Sequence, residues 1–156
     1  MFDDEYFMRR ALALAEEAYA NGEIPVGAVV VWQGQIVAQA GNLTERLNDV
    51  TAHAEMQAIT AAANHLGSKY LVDCDLYVTL EPCLMCAGAL AWAQLGRLVY
   101  GASDSRRGFT NFRPVPLHPK TRVVSGVLAG PCSELMRRFF AARRARPYEG
   151  SEPGLN

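Results

Sequence analysis

Long apolar runs are missing from this 156-residue chain. No stretch approaches the roughly 18 apolar residues of a spanning helix, so no membrane-crossing segment is expected. The opening Met1-Phe2-Asp3-Asp4-Glu5 is acidic, unlike a signal or transit peptide, and a cytoplasmic protein is expected. Cysteine is scarce, at four residues. In that compartment such cysteines read as metal ligands, catalytic groups or core residues rather than disulfides. There is no internal repeat and no interior linker. What is present is ordinary for a globular chain: half the residues are hydrophobic and a fifth are charged, which excludes disorder. The length suits one domain, expected over 1–146, with a mobile tail over 147–156.

Net charge is also lacking. Its value of −1 argues, taken alone, against a nucleic-acid binder that works by bulk positive charge. The figure is a cancellation. Up to Gly96 there are 4 basic and 12 acidic residues, and from Arg97 onward 11 basic and 4 acidic. An acidic amino-terminal part precedes a basic carboxy-terminal part. Whether those arginines gather in space is a question for the structure.

Hydrophobic spacing predicts a helix over Asp4–Asn21, with Phe7, Ala11, Leu14 and Ala18 as its stripe and Gly22 as its stop. A hairpin follows within Pro25–Ala40 around Gln33-Gly34, then a polar loop. The spacing predicts a helix over Ala54–Leu66 with Met56, Ile59, Ala63 and Leu66 on one face. A strand over Leu76–Leu80 leads to a helix opened by Pro82 and running to about Leu95. After a short strand at Leu98–Tyr100, Ala102–Lys120 reads as a long loop with one helical turn, and such loops are often functional. A strand at Arg122–Val124 and a helix over Pro131–Arg146 complete the order. A hairpin followed by β-α-β units implies an α/β fold: a three-layer α/β/α sandwich around a mixed five-stranded sheet.

Two segments carry chemistry, Thr51-Ala52-His53-Ala54-Glu55 and Glu81-Pro82-Cys83-Leu84-Met85-Cys86. Cysteines three apart at a helix start suit two thiolates on one tetrahedral zinc, and the positive helix end favours thiolates. His53 supplies a third ligand, entering from the non-helical edge of its turn. Three protein ligands leave a fourth position for water, whose pKa bound zinc lowers to about 7. Glu55 would lie beside the site without ligating and could carry protons. A structural zinc knuckle, with Cys74, Cys132 or His65 as fourth ligand, leaves Glu55 without a role. A redox dithiol lacks thioredoxin-like flanks. Cys74 and Cys132 read as small structural residues and His65 as a helix-end residue, while His118 has no assigned role.

The H-x-E and P-C-x-x-C pairing is the signature of zinc nucleobase deaminases. The chain further resembles the bacterial tRNA-specific adenosine deaminases. The resemblance rests on Glu23-Ile24-Pro25-Val26-Gly27-Ala28, Asn42, both segments above, Leu76 to Ala89, Gly96-Arg97, Gly101-Ala102-Ser103-Asp104, and a last helix with Phe139-Phe140 and Arg143-Arg144. It implies a cytidine-deaminase-like fold, a homodimer, one zinc per chain, and conversion of adenosine to inosine at the wobble position of a tRNA anticodon. It also implies that Asn42 hydrogen-bonds the flipped base and Asp104 contacts a neighbouring nucleotide; Asn42 otherwise reads as a turn residue after Gly41. The stretch Ser105–Arg122 departs from the family's pattern, which leaves open a deaminase of a free nucleobase or nucleotide such as guanine or cytosine. A catalytically idle RNA-binding subunit would leave Glu55 unexplained. In that stretch Phe109 and Phe112, interleaved with Arg106, Arg107 and Arg113, suit either stacking on a single-stranded RNA loop or anchoring to the core. Arg143, Arg144 and Arg146 suit phosphates or a solvated helix end.

Overall fold

The computed structural model describes residues 2–145. Arg146 and the expected tail over 147–156 lie outside the described residues. The elements are α1 (Asp4–Ala20), β1 (Gly27–Trp32), β2 (Gln35–Gly41), α2 (Ala54–Leu66), β3 (Cys74–Leu80), α3 (Leu84–Trp92), β4 (Arg97–Ala102), a 3-10 turn (Phe109–Asn111), β5 (Arg122–Ser125) and α4 (Ala129–Ala145). No helix among the described residues is long and apolar enough to cross a membrane.

The strands form one mixed sheet in the order β2-β1-β3-β4-β5. β1 runs antiparallel to β2 and β3, while β3, β4 and β5 are parallel. The expected hairpin turns at Gln33 and Gly34, both at positive φ (50° and 74°), the conformation a two-residue primed turn demands. Successive valines of β1 point to opposite faces. Val30 joins Leu76, Val78, Leu98 and Tyr100 beneath α2 and α3. Val29 and Val31 join Tyr77 and Val99 beneath α1 and α4. Both faces are covered, which is why these strands read as continuous apolar runs. This is the expected three-layer sandwich.

Close approach of helix to sheet corrects one expectation. The most buried apolar face of α2 is Ala54, Ala58 and Ala62; the expected Met56, Ile59, Ala63 and Leu66 are half-buried, with Ile59 and Leu66 packing on the same core from the flank. Small residues at the contact let the helix sit low, and the larger ones reach down beside it. The other layer uses the same device. A Cβ on Gly27 would fall inside Ala11 O and Ala15 N of α1, so the helix packs directly on strand backbone. A second correction concerns α3, which starts at Leu84 rather than Pro82 and ends at Trp92 rather than Leu95. Cys83 stays extended because Pro82 O is taken by Phe109 N–H at 2.9 Å and Cys83 bridges to Gly108. Tertiary pairing overrides helix propensity there.

An ion cluster ties the start of α1 to the sheet. Arg97 Nη1 donates to Asp4 Oδ1 at 2.9 Å, and Tyr77 Oη donates to the same oxygen at 2.7 Å. Arg97 also pairs with Asp75 at 3.3 Å. The Arg97 guanidinium holds the Asp4 carboxyl below its usual range against the opposing effect of burial. A lowered folded pKa gives stability that is present above the unfolded carboxylate value and lost as pH falls through the folded one. The pair is partly exposed, so Asp4→Asn is expected to cost roughly 1 kcal/mol near neutral pH. That cost should fade as pH falls through the lowered folded value, where the wild type loses the same charge. Urea unfolding of both proteins across the acid range checks it.

Candidate active site

Pairing registers bring the functional segments to one end of the sheet. Gly27 sits opposite Gly41, Ala28 opposite Val78, and Leu80 opposite Ala102. The segments leaving β2, β3 and β4 therefore start side by side, and they carry Asn42, Glu81–Cys83 and Ser103–Asp104. Ligand sites of α/β sheets lie at such carboxyl ends.

Two helix starts face each other there. His53 is the N-cap of α2 and Cys83 the N-cap of α3, both with extended backbone. His53 thus enters from the non-helical edge of its turn, as expected. Its Nδ1 lies 3.7 Å from Cys83 Sγ and 3.5 Å from Cys86 Sγ. All three ligand atoms fall within 4.8 Å of one another. Zn–N and Zn–S bonds in a tetrahedron would set N···S edges of about 3.6 Å, so the triangle fits zinc. The donor set fits as well, since two thiolates and a neutral imidazole balance a dication. A hydrogen bond from Cys86 pulls the Cys83 thiol down to about 4, with His53 helping, while burial opposes both. The Cys83 sulfur in turn raises the His53 pKa. Glu55, in the first turn of α2, is 4% exposed, and burial raises its pKa.

These residues open into a cleft of 760 Å³ that Asn42 and Asp104 also line. Asn42 is buried, and its Oδ1 accepts from Thr44 N–H at 3.2 Å. Asp104 Oδ1 accepts from the N–H groups of Arg106 and Arg107, each at 3.0 Å, so it caps the turn that displays them. Two further buried carboxylates went unassigned in the sequence. Glu23 accepts from Glu45 N–H at 2.6 Å and Arg46 N–H at 3.1 Å, fastening the segment after Asn42. Glu81 fastens the segment around Asp104. The signal available was their place: each is an acid flanked by apolar residues at the edge of a motif.

Part of the basic half of the chain gathers here. Arg106, Arg107, Arg137 and Arg144 line the cleft together with Phe140. Arg137 was not singled out in the sequence, and Phe140 was named only as part of the family resemblance, with no role. Arg143 lies instead over the Phe139 ring, 4.9 Å from its centroid. The stacking alternative for Phe109 is overturned: its side chain is 2% exposed and packs edge-on against Tyr100 in the core. Phe112 is partly exposed but does not line the cleft. Cys74 and Cys132 are buried core residues, His65 is exposed in the last turn of α2, and His118 Nδ1 accepts from Lys120 N–H within its loop.

Comparison with known proteins bears on this site. The cytidine and deoxycytidylate deaminase zinc-binding region matches residues 1–102. A tRNA-specific adenosine deaminase of Agrobacterium fabrum is 42% identical over 149 residues, covering 92% of this chain and 98% of the relative. A chain solved in work on A-to-I editing by tRNA:A34 deaminases at the wobble position of transfer RNA is 43% identical, with a TM-score of 0.79 over 83% of this chain and 98% of that one. Guanine deaminase of Bacillus subtilis is 32% identical, with a TM-score of 0.63 over 99% of this chain and 85% of that one.

The ligand triangle generates a metal prediction. Cys86→Ser should leave the purified protein with less than about a tenth of the wild-type zinc, because two remaining ligands do not hold the ion against water. Ligation needs His53 neutral. Both cysteines must likewise stay deprotonated, so chelator stripping of the wild type should accelerate as pH falls. Zinc content by elemental analysis across a pH series measures both effects.

Proposed function

The chain belongs to the tRNA-specific adenosine deaminases within the cytidine and deoxycytidylate deaminase family, and from that premise we propose that it converts adenosine to inosine at the wobble position of a tRNA anticodon. One observation favours a polynucleotide over a free base. Four arginines and an exposed aromatic line the same cleft as His53, Cys83 and Glu55. A nucleobase needs no such cationic rim, whereas phosphates do.

The reaction consumes water, forms a C–O bond at C6 of adenine, breaks the C6–N6 bond and releases ammonia. His53, Cys83 and Cys86 would hold zinc, which when bound would supply a Lewis acid for activating water at neutral pH. Glu55 takes one proton from the attacking water and gives it to the adjacent ring nitrogen, then carries the second from the new hydroxyl to the departing amine. Its buried position, which raises its pKa, suits it to hold that proton. Asn42 offers a donor and an acceptor on one side chain and pairs with the edge of the flipped base. Asp104 contacts a neighbouring nucleotide through its second oxygen. Phe140 offers an aromatic face, and the arginines meet phosphates. The cytoplasm, where thiols stay reduced, suits the four free cysteines.

A second copy of the chain completes the assembly. Trp92 is 85% exposed, and it lies two turns beyond the exposed Met85 on the same face of α3. Apolar side chains in such a stripe belong in an interface.

Two outcomes are expected. A minimal anticodon stem-loop should yield inosine, and Glu55→Ala should lower that rate by about 10²- to 10⁴-fold with zinc retained. Ammonia release from guanine, with no inosine from the stem-loop, would overturn the substrate assignment. Analytical ultracentrifugation should find a dimer for the wild type and a monomer for Trp92→Asp.

A further inference from the structure

We infer that Glu81 is a positioning residue that locks the arginine-bearing loop onto the cysteine turn of the metal site. Glu81 is 3% exposed, and its carboxylate accepts three hydrogen bonds from one short loop. Oε1 accepts from Asp104 N–H at 3.1 Å. Oε2 accepts from Thr110 N–H at 3.1 Å and from Thr110 Oγ1 at 2.9 Å. One carboxylate thus holds both ends of the segment 104–110, and Ser105, Arg106 and Arg107 project between the two fastenings. Gly108 lies so close that a Cβ there would fall inside the Glu81 carboxylate.

The same acid stands two residues before the metal-binding Cys83. Its own N–H donates to Ala102 O at 2.8 Å, and Phe109 N–H donates to Pro82 O at 2.9 Å. The placement of Arg106 and Arg107 relative to the ligand sulfur therefore runs through a few covalent bonds and these hydrogen bonds. An ionised carboxylate suits this task because every partner is a donor. Three charge-assisted hydrogen bonds offset its burial. Glutamine has the same shape, but it would set an NH2 against an N–H group.

The activity arm of the test rests on the deaminase reading, whereas its loop arm does not. Holoprotein carrying Glu81→Gln is compared with Thr110→Val, which removes only the hydroxyl bond and decides the matter if the first variant fails to fold. Trypsin cleavage after Arg106 and Arg107, identified by mass, should rise about tenfold in Glu81→Gln, the scale of one lost hydrogen bond to a charged group. It should rise about threefold in Thr110→Val. Zinc per chain should equal that of the wild type. On the anticodon stem-loop, KM should rise about tenfold and kcat should fall by less than KM rises. Unchanged cleavage in folded variants overturns the proposal, and so does a fall in kcat at constant KM, which a group acting in the chemistry would give. A stem-loop that is no substrate for the wild type defeats the deaminase reading alone, and the cleavage comparison still decides the role of Glu81.

Discussion

Three ligand atoms from two helix starts must meet within a few ångströms, and the fold is organised around that requirement. His53 and Cys83 are 30 residues apart in sequence, yet their side chains touch. Neither is inside its helix. Each caps one, so each side chain is aimed by an extended backbone rather than by helical twist. The aim holds only if both helices are fixed in height and rotation above the sheet. The alanine face of α2 does this, because backbone seated low on a strand has little freedom to shift.

The metal-binding cluster and the arginines of α4 come from different layers. The metal ligands and Glu55 belong to α2 and α3 on one side of the sheet. Arg137, Phe140 and Arg144 belong to α4 on the other. The cleft lies at the sheet end where both layers reach past the strands. A bound polynucleotide would therefore rest against one layer while its reacting base enters the other. The loop carrying Arg106 and Arg107 spans the gap between them. This explains how a nearly neutral chain presents a basic surface: the acidic amino-terminal half builds the reaction chamber, and the basic half builds its approach.

The metal site was fully legible in the sequence, because few residue types bind zinc and their spacing is dictated by helix starts. The layer order was legible as well, since hairpin and β-α-β patterns admit few topologies. Asn42 and Asp104 were placed in the cleft through family resemblance rather than through spacing. Other features were hidden for definite reasons. Phe109 beside arginines fits stacking or core equally well, and only its packing on Tyr100 decides. Arg137 and Phe140 sit on a helix whose periodicity identifies the core stripe but not which outer stripe borders a cleft. The alanine centre of the α2 face was missed because alanine is a weak hydrophobic signal in sequence and a strong one when two backbones must approach. Glu23 and Glu81 were unread because their partners are mainly backbone N–H groups, which every residue but proline carries.

That last property reaches further. Of the three bonds that Glu81 accepts, two come from main-chain amides. The fastening is therefore largely indifferent to the identity of the loop's side chains. Cleft-lining positions such as Ser105, Arg106 and Arg107 can be exchanged while the loop keeps its seat on the metal-binding turn. The fold thus separates a fixed mount from a replaceable fitting. A loop free to vary in its side chains beside a fixed reaction centre is what such a division permits.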